Sequence, residues 1–381
     1  MRAIGRGRTG VLGLTAAVIA VMIASGCSSG ASGTSASKSS GSEQSKAPSK
    51  VKLTYAVATQ VLNTGYPFAT LPKELGYFDK EGLDVDIVPG QSSATTLQLL
   101  ASGKADIGVV VPNAAMIQTA AGTLDVKSFY AVSRQNSNAF AVNPNSPIKS
   151  VKDLKGKKLG VAALGSGANV FAHAAEDLAG VDKSSIQEVN VGYGTPAYEA
   201  LKNGQVDAYT IITSFNAQAK NAGYNFRLLP NPSGIENLYS YNLYATSQFI
   251  KDHPDVIARF GRATAKATVF LQTNPEAAVK LFWKDHPDQA PKNTSDASAV
   301  TPDLNIVKAQ MIDMQANDHP ADFAWGSQDT ATWKRMQDFL VGAQQIPKAI
   351  DPSRYFYSGQ QAQYMKFDVQ SVVQQAKKWT P

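Results

Sequence analysis

The sequence predicts an α/β protein with two similar lobes, followed by a series of helices. Three observations support this fold class. Short β-rich segments alternate with amphipathic helical segments from residue 51 onward, which is typical of a parallel sheet covered by helices. Residues 84–108 and 188–209 repeat one order of strand, glycine-containing loop, helix and strand. From about residue 244 only helical periodicity remains.

The first lobe begins with an alternating segment rich in β-branched and aromatic residues. Its predicted elements are a strand at 51–59, a helix with its closing turn at 67–82, a strand at 83–90, a helix at 92–104 and a strand at 105–111. The segments "VKSFYAVSR" (126–134) and "NAFAVNP" (138–144) continue as strands. We therefore expect the first part of lobe 1 to cover residues 51–144.

The second lobe is predicted by the internal repeat. Three positions coincide at a constant offset of 101 residues: Leu100 with Leu201, Gly103 with Gly204, and Asp106 with Asp207. Both glycines stand where the end of a helix favours a left-handed residue. We expect lobe 2 to cover residues 145–240.

The C-terminal part, 241–381, is expected to return to lobe 1 and to add helices. In the segment 253–275, apolar residues recur at helical spacing and form one face, which consists of Val256, Ile257, Phe260, Ala263, Ala267, Phe270 and Leu271. Further amphipathic helices are predicted at 275–285, 303–318, 330–345 and 369–379. His253, His286 and His319 each precede a proline, and this pattern suits helix boundaries better than a metal site.

The N-terminal segment resembles a lipoprotein signal peptide over residues 1–26. Arg2, Arg6 and Arg8 precede an apolar run of about 13 residues, which is too short to span a membrane and suits a signal-peptide core. Small residues then lead to Cys27, the single cysteine of the chain, as in a bacterial lipobox. Residues 27–50 have the composition of a flexible Gly/Ser linker. We expect Cys27 to carry a lipid that anchors an extracytoplasmic protein to the membrane.

The charge pattern gives no reason to expect a nucleic-acid partner. The formal net charge is +6, and the three arginines of the signal peptide account for half of it. No dense basic run follows, and no later segment is apolar for about 18 residues. No cofactor, no metal and a monomeric state are expected.

Several segments together resemble one family of proteins. "PKELGYFDKEGLDVDIVPGQSSATTLQLLASGKADIGVVVPNAAM", "SPIKSVKDLKGKKLGVAALGSGANVFA" and "AYEALKNGQVDAY" are similar to ABC-importer solute-binding proteins of the nitrate, sulfonate and taurine type. The resemblance covers roughly residues 51–285. It implies a two-lobe clamshell of the periplasmic-binding-protein kind, type II-like, which closes on one small ligand. It also implies an ABC permease and its ATPase subunits as partners. After Asp207 the chain departs from the family pattern, so ligand identity is not carried over.

The ligand is expected at the carboxyl ends of the strands, where helix N-termini present free N–H groups. The loops that follow the strands, together with the resemblance, give the following candidate ligand-binding residues: Tyr66, Gln91, Ser92, Ser93, Asn113, Arg134, Ser166, Gly167, Ala168, Tyr193 and Thr213. Ser92, Ser93 and Asn113 equally suit helix capping. Arg134 would pair with a carboxylate or sulfonate, or lie on the surface. Tyr66, Phe68, Tyr193 and Phe215 are candidate stacking walls or core residues.

These observations favour a lipid-anchored binding protein for an organic anion or a planar heterocycle. Two other classes remain open: a tethered sensor or adhesion module with the same lobes, and an enzyme on the same fold. The segment 165–167 is not a G-x-S-x-G nucleophile motif, and the enzymes of this fold that make thiamine pyrimidine depend on a cysteine-rich segment. The chain has no G-x-x-x-x-G-K-[ST] loop, so ATP hydrolysis would belong to partner subunits.

Overall fold

The computed structural model describes residues 50–233, 235, 237–294 and 296–381. The predicted signal peptide, Cys27 and the linker up to residue 49 lie outside the described residues. The strands are β1 (Val51–Val57), β2 (Leu83–Pro89), β3 (Ile107–Val110), β4 (Val126–Ala131), β5 (Asn138–Val142), β6 (Lys158–Val161), β7 (Gln187–Asn190), β8 (Ala208–Ile212), β9 (Arg227–Leu228) and β10 (Asn242–Thr246).

The helices lie between and after these strands. They are α1 (Pro67–Glu74), α2 (Tyr77–Lys80), α3 (Ser93–Ala101), α4 (Pro112–Ala120), α5 (Gly167–Leu178), α6 (Thr195–Lys202), α7 (Thr213–Asn221), α8 (Ser247–Asp252), α9 (Pro254–Thr273), α10 (Pro275–Asp285), α11 (Thr301–Asp313), α12 (Thr330–Gly342), α13 (Gln361–Tyr364) and α14 (Val369–Lys378). The helix predicted at 67–82 is divided at Gly76, which has a positive φ of 65°.

The strands form two sheets with the same internal plan. Lobe 1 has the order β2-β1-β3-β10-β4 and lobe 2 the order β7-β6-β8-β5-β9. In each sheet the first three strands are parallel, and the fourth strand runs antiparallel to both of its neighbours. The two-lobe α/β architecture predicted from the sequence is therefore present.

The repeated aspartate ties the same pair of strands in each lobe. The Asp106 carboxylate accepts from the Thr54 amide at 2.8 Å, and the Asp106 amide donates to the Thr54 carbonyl at 3.0 Å. Asp207 makes the same two contacts with Lys158, both at 2.8 Å. Gly103 and Gly204, three residues before each aspartate, have positive φ angles of 68° and 70° and end their helices. The offset of 101 residues thus marks one repeated strand connection.

The expected lobe boundary at residue 144 is wrong by one strand. β5, which was predicted to lie in lobe 1, pairs with β8 and β9 in lobe 2. The chain therefore crosses between the lobes at 132–137, and it returns after β9, through 237–241, before β10. We call these two segments the hinge. They pair with each other: the amides of Val132 and Ser133 both donate to the Tyr241 carbonyl at 2.9 Å.

The chain returns to lobe 1 through β10, and the C-terminal helices then pack on both lobes. Phe260 of α9 contacts Tyr55 of β1, with ring centroids 5.2 Å apart, and is fully buried in the core of lobe 1. By contrast, α11 contacts α7 of lobe 2, where Asn305 donates to Asn221 at 3.1 Å. Gln345, beyond α12, donates to Asp177 of α5 at 2.7 Å. The helices after β10 therefore brace both sheets.

Candidate ligand cleft

A small cavity lies between the lobes at the carboxyl ends of their parallel strands. Lobe 1 and the returning hinge contribute Ala58, Tyr66, Ser93 and Tyr241, and lobe 2 contributes Ser166, Gly167, Ala168, Tyr193, Ile211, Ile212 and Phe215. The free space within it is about 20 Å³, which is room for about one water molecule. A ligand of several heavy atoms therefore needs the lobes to separate before it can enter.

Two helix N-termini face each other across this cavity. Ser92 caps α3, and its hydroxyl oxygen accepts from the Thr95 amide at 3.2 Å. Ser93, the next residue, accepts from the Val111 amide at 3.3 Å and also borders the cavity. In lobe 2, Ser166 caps α5 by accepting from the Asn169 amide at 3.2 Å. The Ser93 and Ser166 hydroxyl protons remain available, and the free N–H groups of both helices favour an anionic or carbonyl oxygen.

Three tyrosines also line the cavity: Tyr66, Tyr193 and Tyr241. Tyr193 lies against Phe215 with ring centroids 5.5 Å apart, and Tyr66 meets Tyr241 edge-on at 6.4 Å. Burial raises the pKa of Tyr66 to about 12 and outweighs its hydrogen bonds with Thr59 and Tyr241. Burial likewise raises the pKa of Tyr193 and of Tyr241. The three phenols are therefore neutral at physiological pH and can act as donors.

The described residues that line the cavity include no lysine, arginine or histidine. An oxyanion in this position would be held by hydroxyl groups, backbone N–H groups and helix dipoles alone. Such a site suits a singly charged or neutral group better than a densely charged one, because no full positive charge offsets the desolvation.

The cavity places six of the predicted residues in its wall: Tyr66, Ser93, Ser166, Gly167, Ala168 and Tyr193. The other five lie behind it or beside it. The Gln91 carbonyl accepts from the Tyr193 hydroxyl across the lobes at 3.3 Å, and Ser92 caps α3. Asn113 is buried in the first turn of α4. Thr213 starts α7 and donates toward the Ser137 carbonyl at 3.0 Å.

Arg134 lies in the hinge with its guanidinium directed elsewhere. Nη1 donates to the Ser327 carbonyl at 2.8 Å, and the group lies over the Phe323 ring at 5.1 Å. Its pairing with a ligand acid stays a prediction that these contacts do not favour.

Sequence reasoning missed Ala58, Ile211, Ile212 and Tyr241. The first three are small or aliphatic residues at strand ends, and nothing in their local pattern separates them from the core. Tyr241 had a usable signal, since it is an aromatic residue directly before a strand that enters the first sheet. Phe68 is buried beside Tyr66 and Tyr241 and forms a second layer behind the wall.

The lobes are in close contact around the cavity. A Cβ atom on Gly167 would overlap Cγ2 and Cβ of Val111 in the opposite lobe. A Cβ atom on Gly165 would lie 3.2 Å from Cβ of Ala94, and one on Gly65 would lie 2.8 Å from Cβ of Ser214. This arrangement is a closed clamshell in which glycines permit the approach of the backbones.

Neither a metal cluster nor a membrane-spanning helix is found in the part of the chain that the structure describes. No three His, Cys, Asp or Glu side chains there are grouped so that they could hold a metal ion. The three histidines that precede a proline each contact a phenylalanine ring. His286 stacks on Phe282 and His319 on Phe323, while the His253 ring is tilted against Phe249. Over the same residues, every helix is too short or too polar to cross a bilayer.

Comparison with known proteins identifies relatives of this fold. The profile of the NMT1/THI5-like family matches residues 66–278. A protein of Bacillus subtilis (strain 168), described as an aliphatic sulfonates-binding protein, is 29% identical over 253 residues, which are 63% of this chain and 74% of the relative.

Solved structures extend the likeness to nearly the whole described chain. The alkanesulfonate-binding protein SsuA from Xanthomonas axonopodis pv. citri, bound to MOPS, has a TM-score of 0.61 at 16% identity, covering 82% of this chain and 99% of that chain. The desulfurization enzyme DSZB has a TM-score of 0.52 at 14% identity, covering 83% and 99%. At these identities the structures share the periplasmic-binding-protein fold and nothing further follows about ligand or activity.

Proposed function

The chain belongs to the NMT1/THI5-like family, and we propose that it is a solute-binding protein that captures a small molecule between its lobes. The observation that carries the proposal is the cavity whose wall combines residues of both lobes. A ligand that contacts both walls binds the closed form more tightly than the open form, so binding drives closure. The ligand-bound protein would then be distinguished from the ligand-free protein by its closed lobes.

We propose an organic anion or a planar heterocycle as the ligand class. The N-termini of α3 and α5 would receive a sulfonate, carboxylate or carbonyl oxygen, while Tyr66, Tyr193 and Phe215 would enclose a ring or an aliphatic chain. The sulfonate-binding relatives support this choice for the anionic end. The absence of a cationic side chain from the described cavity wall supports a ligand with one charge at most.

We propose that the loaded protein delivers its ligand to an ABC permease, with ATP hydrolysed by partner subunits. In this proposal Cys27 carries the lipid that keeps the protein at the outer face of the membrane. No turnover is proposed, because the cavity wall brings together hydroxyl groups without a neighbouring base: its described residues include no histidine, lysine, aspartate or glutamate.

The test is a thermal-shift screen of the full chain with alkanesulfonates, aromatic carboxylates and aminopyrimidines, followed by calorimetry on any compound that raises Tm. We expect saturable one-to-one binding. Removing both cavity hydroxyls in Ser93→Ala/Ser166→Ala should weaken binding by about tenfold, since each hydrogen bond contributes about 0.5–1.5 kcal/mol.

The matched control is Thr246→Ala, which removes a helix N-cap on α8 outside the cavity wall. It should lower Tm by a similar amount and leave affinity unchanged. Undiminished affinity in the double serine variant would place the ligand elsewhere. Chemical conversion of a bound compound would replace the binding proposal with an enzymatic one, and a screen without any binder would favour the sensor or adhesion class.

A further inference from the structure

Asp313 is a buried acid at the point where the C-terminal helices meet the hinge. It is the last residue of α11, and its side chain is 2% exposed. Its backbone carbonyl accepts from the amides of Arg134 and Gln135, at 2.9 and 3.1 Å, in the first hinge segment. The position of this residue is therefore fixed relative to the segment that connects the lobes.

The Asp313 carboxyl group contacts lobe 2 through Thr213. The Thr213 hydroxyl lies 3.2 Å from Oδ1 of Asp313 and 3.0 Å from the Ser137 carbonyl oxygen. A threonine hydroxyl has one proton, so it cannot donate to both oxygens. If Asp313 were ionised, one of these two oxygen pairs would lack a proton. If Asp313 carries a proton, its O–H donates to Thr213, and Thr213 donates to Ser137.

No positive charge is placed to stabilise an ionised Asp313. Among the described residues no Lys, Arg or His nitrogen lies within 4.0 Å of its carboxyl oxygens, and Oδ2 has no hydrogen-bond partner. Arg134 is the nearest cation in the hinge, and its guanidinium is bound to Ser327. Burial raises the pKa of Asp313 well above its usual value, against a smaller opposing effect of the Thr213 hydrogen bond.

The other charged groups on the neighbouring elements do not change this balance. On α7, Lys220 lies over the Phe226 ring, 5.7 Å from its centroid. On α11 itself, Asp303 accepts from the Trp283 indole at 2.7 Å. Tyr241 of the returning hinge segment interacts with Asp313 electrostatically, and its ionisation would only add negative charge.

We propose that Asp313 is a neutral carboxylic acid whose proton links α11 to Thr213 and so positions the hinge in the closed clamshell. Asp313 acts as a positioning residue, since it reaches the cavity only through a neighbour: it contacts the Thr213 hydroxyl, and Thr213 follows the cavity residue Ile212. The role of the closed clamshell in ligand capture rests on the proposed binding function, whereas the protonation state of Asp313 does not. The protonation of Asp313 is testable without any ligand.

The experiment compares urea unfolding of the full chain from pH 4 to pH 9 with that of Asp313→Asn. An acid whose native pKa is raised stabilises the fold fully below its unfolded pKa of about 3.9, and this contribution is lost as pH rises toward the native pKa. Relative to Asp313→Asn, wild type should lose about tenfold in its folding equilibrium constant per pH unit across that window. The stability of wild type relative to Asp313→Asn should therefore fall as the pH rises through this range.

The matched control is Asp303→Asn on the same helix, since Asp303 accepts two hydrogen bonds from Trp283 and Thr64. Asp303→Asn should be less stable than wild type, because the asparagine side chain keeps only one of the two accepting oxygens. Equal pH slopes for wild type and Asp313→Asn would overturn the proposal, because they would mean that Asp313 is ionised in the native state.

A second measurement covers the case in which Asp313→Asn fails to fold. In wild type with ¹³C-labelled aspartate, the carboxyl chemical shifts should show one aspartate side chain that remains protonated at pH 7. The buried glutamates would not contribute to this spectrum. If every aspartate is ionised at pH 7, the proposal fails. Neither measurement involves a ligand, so a failed ligand screen and a failed protonation test are separate outcomes.

Discussion

Gly167 leaves no room for a side chain where α5 of lobe 2 meets Val111 of lobe 1. In Gly167→Ala the new methyl group would overlap Val111 in the closed form. Alanine also suits a helix better than glycine, by up to about 1 kcal/mol, so the separate lobes should not be weakened. We therefore expect ligand affinity to fall by at least about tenfold while Tm stays constant or rises slightly. Calorimetry and thermal unfolding on the same samples measure the two effects.

The control for this substitution is Gly342→Ala, where the added carbon would lie 3.7 Å from Leu178, an ordinary contact distance. That variant should bind ligand as wild type does. If Gly167→Ala also binds normally, the ligand-bound lobes do not approach each other as closely as in the structure described above.

At the scale of single elements, α5 is held against β7 by a polar cluster behind its N-terminus. His173 of α5 pairs with Glu188 of β7, which also accepts from Asn169 at 2.6 Å. The hydrogen bond that His173 donates to Glu188 raises the pKa of His173 and lowers the pKa of Glu188. Asn169 in turn accepts from the Gly165 amide at 2.9 Å, so the cluster orients the loop that borders the cavity.

Replacing His173 with glutamine should therefore destabilise the protein in a pH-dependent manner. The raised histidine pKa contributes stability below about pH 6.5, which is lost as pH rises through the native pKa. The lowered glutamate pKa contributes stability above about pH 4.3, which is lost on acidification. For a half-buried pair we expect a loss of about 0.5–1 kcal/mol at pH 5.5 and almost none at pH 9, measured by urea unfolding.

Lys334→Gln serves as the comparison, since it breaks an exposed pair with Asp338 on α12. Its effect should be smaller and nearly constant between the two pH values. A His173→Gln effect of the same size at pH 9 would mean that packing, and not charge, connects α5 to β7.

The elements differ in how far the sequence could predict them. The repeated units were predictable because Gly103, Asp106 and their counterparts recur at one sequence spacing and make the same contacts in both lobes. The position of β5 was not predictable from the sequence, because its alternating pattern suits a strand in either sheet. Only its pairing with β8 places it in lobe 2. Cavity residues beside glycine or at helix caps were predictable. The places of Ile211 and Tyr241 in the cavity wall and the role of Asp313 were not predictable, because they depend on contacts between segments that are distant in the sequence.

At the scale of the whole molecule, the described body contains no helix that could span a membrane, while the sequence predicts a lipid attached to Cys27. Retention at the membrane would then depend on this one residue. Because the body at 51–381 contains the whole cavity, losing the anchor should not alter ligand affinity. Cys27→Ala should therefore release the protein from the membrane fraction and bind the screened ligand as wild type does.

The measurement is membrane fractionation of cells that express the chain, combined with calorimetry on the released protein. Ser28→Ala is the matched control, since it alters the neighbouring residue and keeps the thiol, and it should remain with the membrane. Membrane retention of Cys27→Ala would contradict lipid anchoring and would indicate either an uncleaved N-terminal segment or attachment through a partner. Extraction with detergent, compared with extraction at high salt, separates these two alternatives, because salt weakens a polar protein contact but not an inserted apolar segment.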